Sequence, residues 1–576
     1  MSAPRSTGSA WWLAGRPVLW CLVDAAVLLG LAALVALAFW PVYGTPLLFV
    51  TVLGFTLLGG AIALGSALRR WRGGTTVLLA VGAWFVAGPG LVMPTSATFV
   101  VLPNARTLLG LLTGPVTAWR DMLTLDPPIG ETVNLLAVPG LVGLLVGLVG
   151  MSVALRTSRP SLAWVPAAAG YAVGAAVGAR VAFLPIWVGL AFFAVVLLWT
   201  TYRRGTQRDR LSDSPAALRP VRLALGTAML VVASLVGVLA APALAGGDAR
   251  STLRQAVEIP VNLAEQRSPL QAYRANITKY ESETLLEVQG ARPGDVVRLA
   301  TLDAYDGIAY RVTTLDEGSL DQTTFRRVGQ WIADDTPGDE LDLRVRVHAY
   351  HDVWVPTLGR TTSVRFDGER AVPLGEGFFY NHASGTGVTL PGLTRGDACG
   401  LRARAPQRPA DADIAAAKAG SLKQPKVERA PETVRTLSRQ WTDGVGTAGA
   451  QMLRIEDRLR EGYFSHGQDK EAPSLPGHSQ SRLLALLADP SRMIGDDEQY
   501  ATTMALMARE LGVPSRVIYG YEVGDSPQVT GADVGAWPEV LLDGLGWVRF
   551  DPTPPEDRVA PDEIPPEPPK PQPYVV

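Results

Sequence analysis

Three consecutive acidic residues, Asp496, Asp497 and Glu498, open a stretch of helical period that runs to Leu511 and stops at Gly512 and Pro514. A further carboxylate, Asp551, follows some fifty residues later. Paired carboxylates can share acid and base roles, or one can act as a nucleophile, when they stand about 5–9 Å apart. Asp497, Glu498 and Asp551 are therefore candidates for a carboxylate-based hydrolase. The same acids have a structural use, because Asp is a preferred N-cap and first-turn acids complement the helix dipole. A cation held between this cluster and Asp551 would need three or more oxygen ligands. Thiol chemistry has little to draw on. The two cysteines are Cys21, in an apolar segment, and Cys399, in a Gly-Asp-Ala-Cys-Gly turn away from any helix start. His348 and His351 fall on opposite faces of an expected strand, so they are not a metal pair. His466 and His478 lie in the loop region before the long helix, where a loop role is expected, although either could approach the helix start. No metal site and no cofactor is expected.

The elements that must position these groups fall into two contrasting halves. Residues 1–245 hold 16 arginines, no lysine and 6 acids, a balance of +10, whereas the remainder holds 36 basic and 48 acidic residues, a balance of −12. A single soluble enzyme is excluded by that split. A nucleic-acid binder is disfavoured too, since no dense basic stripe stands out.

Spanning a bilayer takes about 20 apolar residues. Seven segments qualify: 18–39, 45–68, 75–93, 133–155, 161–179, 183–201 and 221–244. Arginines cluster in alternate loops, which places the N-terminus in the cytoplasm and everything after about residue 244 outside. The stretch 107–125 is amphipathic and is expected on the outer membrane surface. Asp24, about two turns into the first span, and Arg180, at a hairpin tip, are membrane charges that mark functional sites by default. The simpler expectation pairs Asp24 with an arginine such as Arg222. The partner this half implies is the lipid bilayer of the plasma membrane.

Residues 246–404 alternate in short apolar and polar runs, as at 284–288, 296–300, 341–347 and 362–366, and read as an antiparallel β-sandwich-like region. Residues 405–430 read as a linker. Helices are expected at 432–441, 449–461, 479–489 and 496–511, and strands at 516–522 and 539–550, the latter folded as a hairpin at 543–544. The tail at 555–576 is Pro-rich and acidic, and should be extended. The fold class expected is thus a multi-span α-helical membrane domain followed by an extracytoplasmic α+β part.

Four blocks in 431–554 resemble a known family: Asp497-Glu498-Gln499-Tyr500-Ala501, Leu511-Gly512-Val513-Pro514, Ala536-Trp537-Pro538-Glu539 and Gly546-Trp547-Val548-Arg549-Phe550-Asp551-Pro552-Thr553. They are similar to the transglutaminase-like domain, a papain-like cysteine-protease fold. The wider layout resembles the TgpA-type bacterial membrane proteins, which carry such a domain outside the membrane. The resemblance implies a Cys nucleophile, a His base and an orienting carboxylate. It puts them at Asp497, Gly535 and Asp551, so only the carboxylate is of the expected type. It also implies a cleft lined by Asp496, Glu498, Tyr500, Trp537, Glu539 and Trp547, and a MoxR-type ATPase as a cytoplasmic partner. The use of 46 Arg against 6 Lys suits an actinobacterial-type source.

The function expected is that of an inactive transglutaminase-like protein that binds a peptide, a partner protein or an envelope polymer outside the cell. Two rivals remain, a carboxylate hydrolase and a membrane transport or assembly component with an outer receptor domain.

Overall fold

A computed structural model describes residues 12–13, 16–94, 102–130, 134–157, 159–179, 183–208, 261, 268–313, 325–334, 336–405 and 407–561. The chain divides into two units, Met1–Ile259 with Val328–Ala333, and Pro260–Arg327 with Asp334–Val576.

The first unit is helical. Its helices are α1 (Val18–Tyr43), α2 (Leu47–Leu68), α3 (Gly73–Leu91), α4 (Ala105–Thr124), α5 (Ala137–Arg156), α6 (Val165–Ala176) and α7 (Pro185–Arg208). Five of them, α1, α2, α3, α5 and α7, are long and apolar enough to cross a bilayer. The expected fifth span is shorter than its apolar run suggests. Helix α6 has 12 residues, or about 18 Å at 1.5 Å per residue, against an apolar thickness of about 30 Å. The seventh expected span, 221–244, lies outside the described residues, as do Arg180 and Arg222.

Helices α2 and α5 make the closest pairing in this unit. A Cβ on Gly147 would stand 2.1 Å from the Thr56 carbonyl oxygen, so glycine is required there. Helix α4 is amphipathic as expected, with Leu109, Leu112 and Val116 exposed along one stripe. Asp24 is buried, and its partner is Arg203 on α7, at 3.1 Å. The Trp199 indole also donates to Asp24, at 2.9 Å.

The second unit contains a short helix α8 (Tyr273–Lys279) and strands β1 (Thr284–Gln289), β2 (Val296–Leu302), β3 (Asp339–Val347), β4 (Asp352–Val355), β5 (Thr357–Leu358), β6 (Arg360–Asp367), β7 (Phe378–Asn381), β8 (Thr386–Leu393) and β9 (Ala398–Ala405). Next come α9 (Asp411–Ala416), α10 (Glu432–Trp441), α11 (Ala448–Arg460), α12 (Gln480–Leu486) and α13 (Asp497–Glu510). Strands β10 (Ser515–Glu522), β11 (Gln528–Thr530), β12 (Val534–Leu542) and β13 (Gly546–Arg549) close the order. Alternation of buried and exposed residues along β3 matches its sequence pattern.

Three antiparallel sheets result. One is ordered β6-β9-β3-β1-β11, and another pairs β7, β8 and β4. The third, ordered β5-β2-β10-β12-β13, joins strands from before and after the 405–430 segment. That segment is pinned rather than free: Gly420 N–H donates to Leu541, and Asp543 N–H donates to Lys418. The start of the tail is likewise tied down, because the Phe464 N–H donates to Arg558.

Helix α13 is buried along most of its length and packs on β10 and β12. The opposite face of that sheet carries Arg516, Ile518, Trp537, Glu539, Trp547 and Arg549, as the register Arg516↔Glu539↔Arg549 and Ile518↔Trp537 requires.

Candidate functional site

The cap of α13 is Asp496, with Asp497 as the first helical residue. Asp496 accepts from the Glu498 N–H at 3.0 Å, and Gln499 Oε1 accepts from the Asp496 N–H at 2.9 Å, so both reach back across the first turn. His466 Nδ1 donates to Asp496 Oδ2 at 3.2 Å. Burial opposes a charge on His466, but its hydrogen bond to Asp496 and the nearby acids outweigh burial and raise its pKa.

Asp497 is half-buried beside this pair. The Tyr273 hydroxyl donates to its Oδ2 at 3.5 Å, and the Thr553 hydroxyl also reaches it. Desolvation is the main reason its carboxyl is pushed up to about 7, against the pull of Thr553, with the charges of Asp496 and Asp551 adding to the rise. Thr553 thus reaches the start of α13, and Asp551 is near enough for its charge to act on Asp497. Among the described residues no group of three or more His, Cys, Asp or Glu side chains is placed to hold a metal ion.

Glu498 points elsewhere. It accepts from Gly477 N–H at 2.9 Å and from His478 Nδ1 at 2.7 Å. His478 Nε2 in turn accepts from the Tyr310 N–H at 2.8 Å, which leaves the ring proton on Nδ1. Both side chains are buried. Tyr500 is also committed, its hydroxyl standing 2.9 Å from the Met493 carbonyl. By sequence His466 and His478 fall in the loop region before α13, from which either could approach the helix start. Neither has a local signal linking it to the helix start, since the partners lie 30 and 20 residues downstream.

The remaining cleft candidates stand on the sheet face away from α13. Glu539 bonds Arg298 at 2.7 Å and Arg516 Nε at 2.7 Å. Burial alone would raise its pKa, but the two guanidiniums hold it at about 2. Trp547 lies under the Arg516 guanidinium, 3.9 Å from the ring centre, and Trp537 lies under Arg549 at 4.6 Å. Trp537 also fills the space beside Gly535. A Cβ at 535 would lie 2.4 Å from the indole, so this strand has room for glycine and not for an imidazole unless Trp537 moves. Asp551, Trp537, Glu539 and Trp547 share a cavity of about 400 Å³.

Both cysteines are buried, Cys21 in α1 and Cys399 in β9, and burial with Asp367 and Asp397 nearby pushes Cys399 up to about 12.

A helix packed on an antiparallel sheet, with its start beside a Gly-Trp-x-x-Phe-Asp-Pro-Thr hairpin end, is the arrangement of a transglutaminase-like domain. Residues 435–552 match the Transglutaminase-like superfamily core. Residues 9–389 match the TgpA N-terminal domain, and the chain belongs to that family. A stretch of 133 residues is 26% identical to the uncharacterized protein YebA of Bacillus subtilis (strain 168), covering 21% of this chain and 18% of that one. The match thus spans about a fifth of that relative. Two crystal structures of the periplasmic domain of TgpA from Pseudomonas aeruginosa are also similar. One is bound to ethylmercury, at 17% identity over 51% of this chain and 96% of that one, with a TM-score of 0.35. The other, at 16% identity, covers 51% and 94%, with a TM-score of 0.33.

Proposed function

We propose that this protein is a membrane-anchored, catalytically inactive transglutaminase-like protein whose outer unit binds a peptide, a partner protein or an envelope polymer. The observation that carries this reading is the pairing of Asp497 at the first turn of α13 with Gly535 pressed against Trp537. The family mechanism needs a thiolate at the helix start and an imidazole beside it. Both native thiols are buried, and a carboxylate attacking an amide would form an anhydride. Asp551 keeps the orienting role's residue type without a His to orient.

The boundaries of this reading are 1–245 for the membrane domain, 246–404 for the β-rich domain, 405–430 for the connecting segment and 431–554 for the transglutaminase-like domain. The arginine distribution supports a plasma-membrane protein with a cytoplasmic N-terminus. A MoxR-type ATPase as cytoplasmic partner is supported by family resemblance.

A second reading is favoured by one observation. A carboxyl pushed up to about 7 beside a carboxylate and a histidine could donate a proton near neutral pH, as a hydrolase acid does.

The premise of the first reading is tested by Asp497→Cys in the full chain. The new thiol is expected to be alkylated by iodoacetamide much faster than Cys399, because Cys399 is buried with its pKa raised. Equal rates would mean that residue 497 does not occupy the nucleophile's place.

A further inference from the structure

A cavity of the second unit, about 620 Å³, opens on the sheet face away from α13 and is not lined by Asp497. One wall is the turn after β7. Asn381 Oδ1 accepts from the N–H groups of Ala383 and Ser384, each at 3.0 Å, and this fixes the turn. Three successive carbonyls of the turn each receive a guanidinium. His382 takes Arg360 at 3.0 Å, Ala383 takes Arg516 at 2.8 Å, and Ser384 takes Arg298 at 2.7 Å. Two of these cations, Arg360 and Arg516, line the cavity, held by backbone that costs no further ordering, while Arg298 lines the neighbouring cavity of about 400 Å³.

Their charge is not balanced locally. Arg298 and Arg516 share the single carboxylate of Glu539, which leaves one positive charge over. Arg516 is itself pushed down to about 10, by burial first and then by its cationic neighbours against the pull of Glu539. Arg360 forms a loose ion pair with Asp334 at 3.9 Å and gives one of its five donors to His382. The exposed Lys423 adds a further cation at the cavity wall. Asp303, the other acid of the lining, accepts from the Thr313 N–H and hydroxyl at 2.9 and 2.7 Å, so Arg298, Arg360, Arg516 and Lys423 set against Glu539, Asp334 and Asp303 leave one positive charge over.

A second, independent observation concerns Ser384. The residue lines the same cavity, and its Oγ is buried with no hydrogen-bond partner among the described residues. A buried hydroxyl left unpaired costs free energy, and a bound acceptor would remove that cost.

We propose that this cavity binds an anionic ligand, a carboxylate or a phosphate ester, through Arg360, Lys423 and the Ser384 hydroxyl. The positive excess selects an anion, the preset guanidinium row favours planar or tetrahedral oxyanions, and the idle hydroxyl supplies a further donor. The site is separate from residue 497, so it stands whether or not that residue does chemistry.

The test is calorimetric titration of the full chain in detergent at low ionic strength, with inorganic phosphate in one arm and succinate in the other. Saturable binding of phosphate points to a phosphate ester, and of succinate to a carboxylate. Arg360→Gln is expected to weaken the binding by about tenfold, the loss of a charge-assisted hydrogen bond. Lys423→Gln, at an exposed position where folding is not at risk, should weaken it severalfold, and Ser384→Ala likewise. Arg346→Gln, an exposed arginine of β3 outside the cavity, should leave it unchanged. Failure of both anions to saturate would overturn the proposal. So would equal weakening by Arg346→Gln, or full binding retained in Lys423→Gln.

Discussion

Asp497 carries more protons in the folded chain than in the unfolded one, because its carboxyl is pushed up to about 7 from an ordinary value of about 3.9. Stability then falls as pH rises through that window, since the unfolded state gives up its proton first. His466, also raised, acts in the same direction at higher pH: its contribution is complete below about 6.5 and is lost as pH rises through its folded value. Asp497→Asn should therefore flatten the decline of the thermal midpoint between about pH 4 and 7 and give a higher midpoint than wild type at pH 8. Parallel profiles for the two proteins would mean that Asp497 titrates normally. What the residues themselves disclose is partial. The acids at 496–498 are legible as helix-start groups from type and position, but their division of labour is not. Asp496 caps, Asp497 faces Tyr273 and Thr553, and Glu498 is spent on His478, and only long-range packing decides this.

Helix α13 is the element best specified locally, with its cap, its capping box and its stop at Gly512 and Pro514 all written within twenty residues. Asp496→Ala should cost about 0.5–2 kcal/mol by loss of the cap alone, read as a shift in the unfolding midpoint. The strand β12 is legible as an element, but its crowding is not. Glycine at 535 looks like a loss of function in the sequence and proves to be the residue that admits the Trp537 indole. Gly535→Ala is expected to destabilise by about 1–3 kcal/mol, as overpacking does, and Trp537→Leu should relieve most of that in the double variant. An additive double variant would show that the two side chains do not meet. The same limit applies to α6, where an apolar run long enough to suggest a span yields 12 helical residues, and to 405–430, whose composition suits a linker although Ile414 is buried and Gly420 pairs with Leu541. Composition reports what a segment can tolerate, while a partner far along the chain decides what it does.

At the scale of the whole chain, charge asymmetry separates a helical, basic half from an acidic half built on sheets, and the division into two units follows it closely. The joining of β2 to β10 in one sheet has no such signal, because strand pairing between distant segments depends on register and packing that no local pattern encodes. Placement of the second unit outside the cell predicts that Thr436→Cys, exposed on α10, is labelled on intact cells by a membrane-impermeant maleimide. Both native thiols are buried, so wild type should stay dark, and labelling only after lysis would reverse the topology. The proposed absence of covalent chemistry at residue 497 is tested most directly by activity. Full-length wild type and Asp497→Ala, solubilised side by side, would be followed for amine incorporation into a Gln-bearing peptide and for peptide hydrolysis. Both proteins are expected to match the buffer blank. Activity in wild type that disappears in Asp497→Ala would contradict the account.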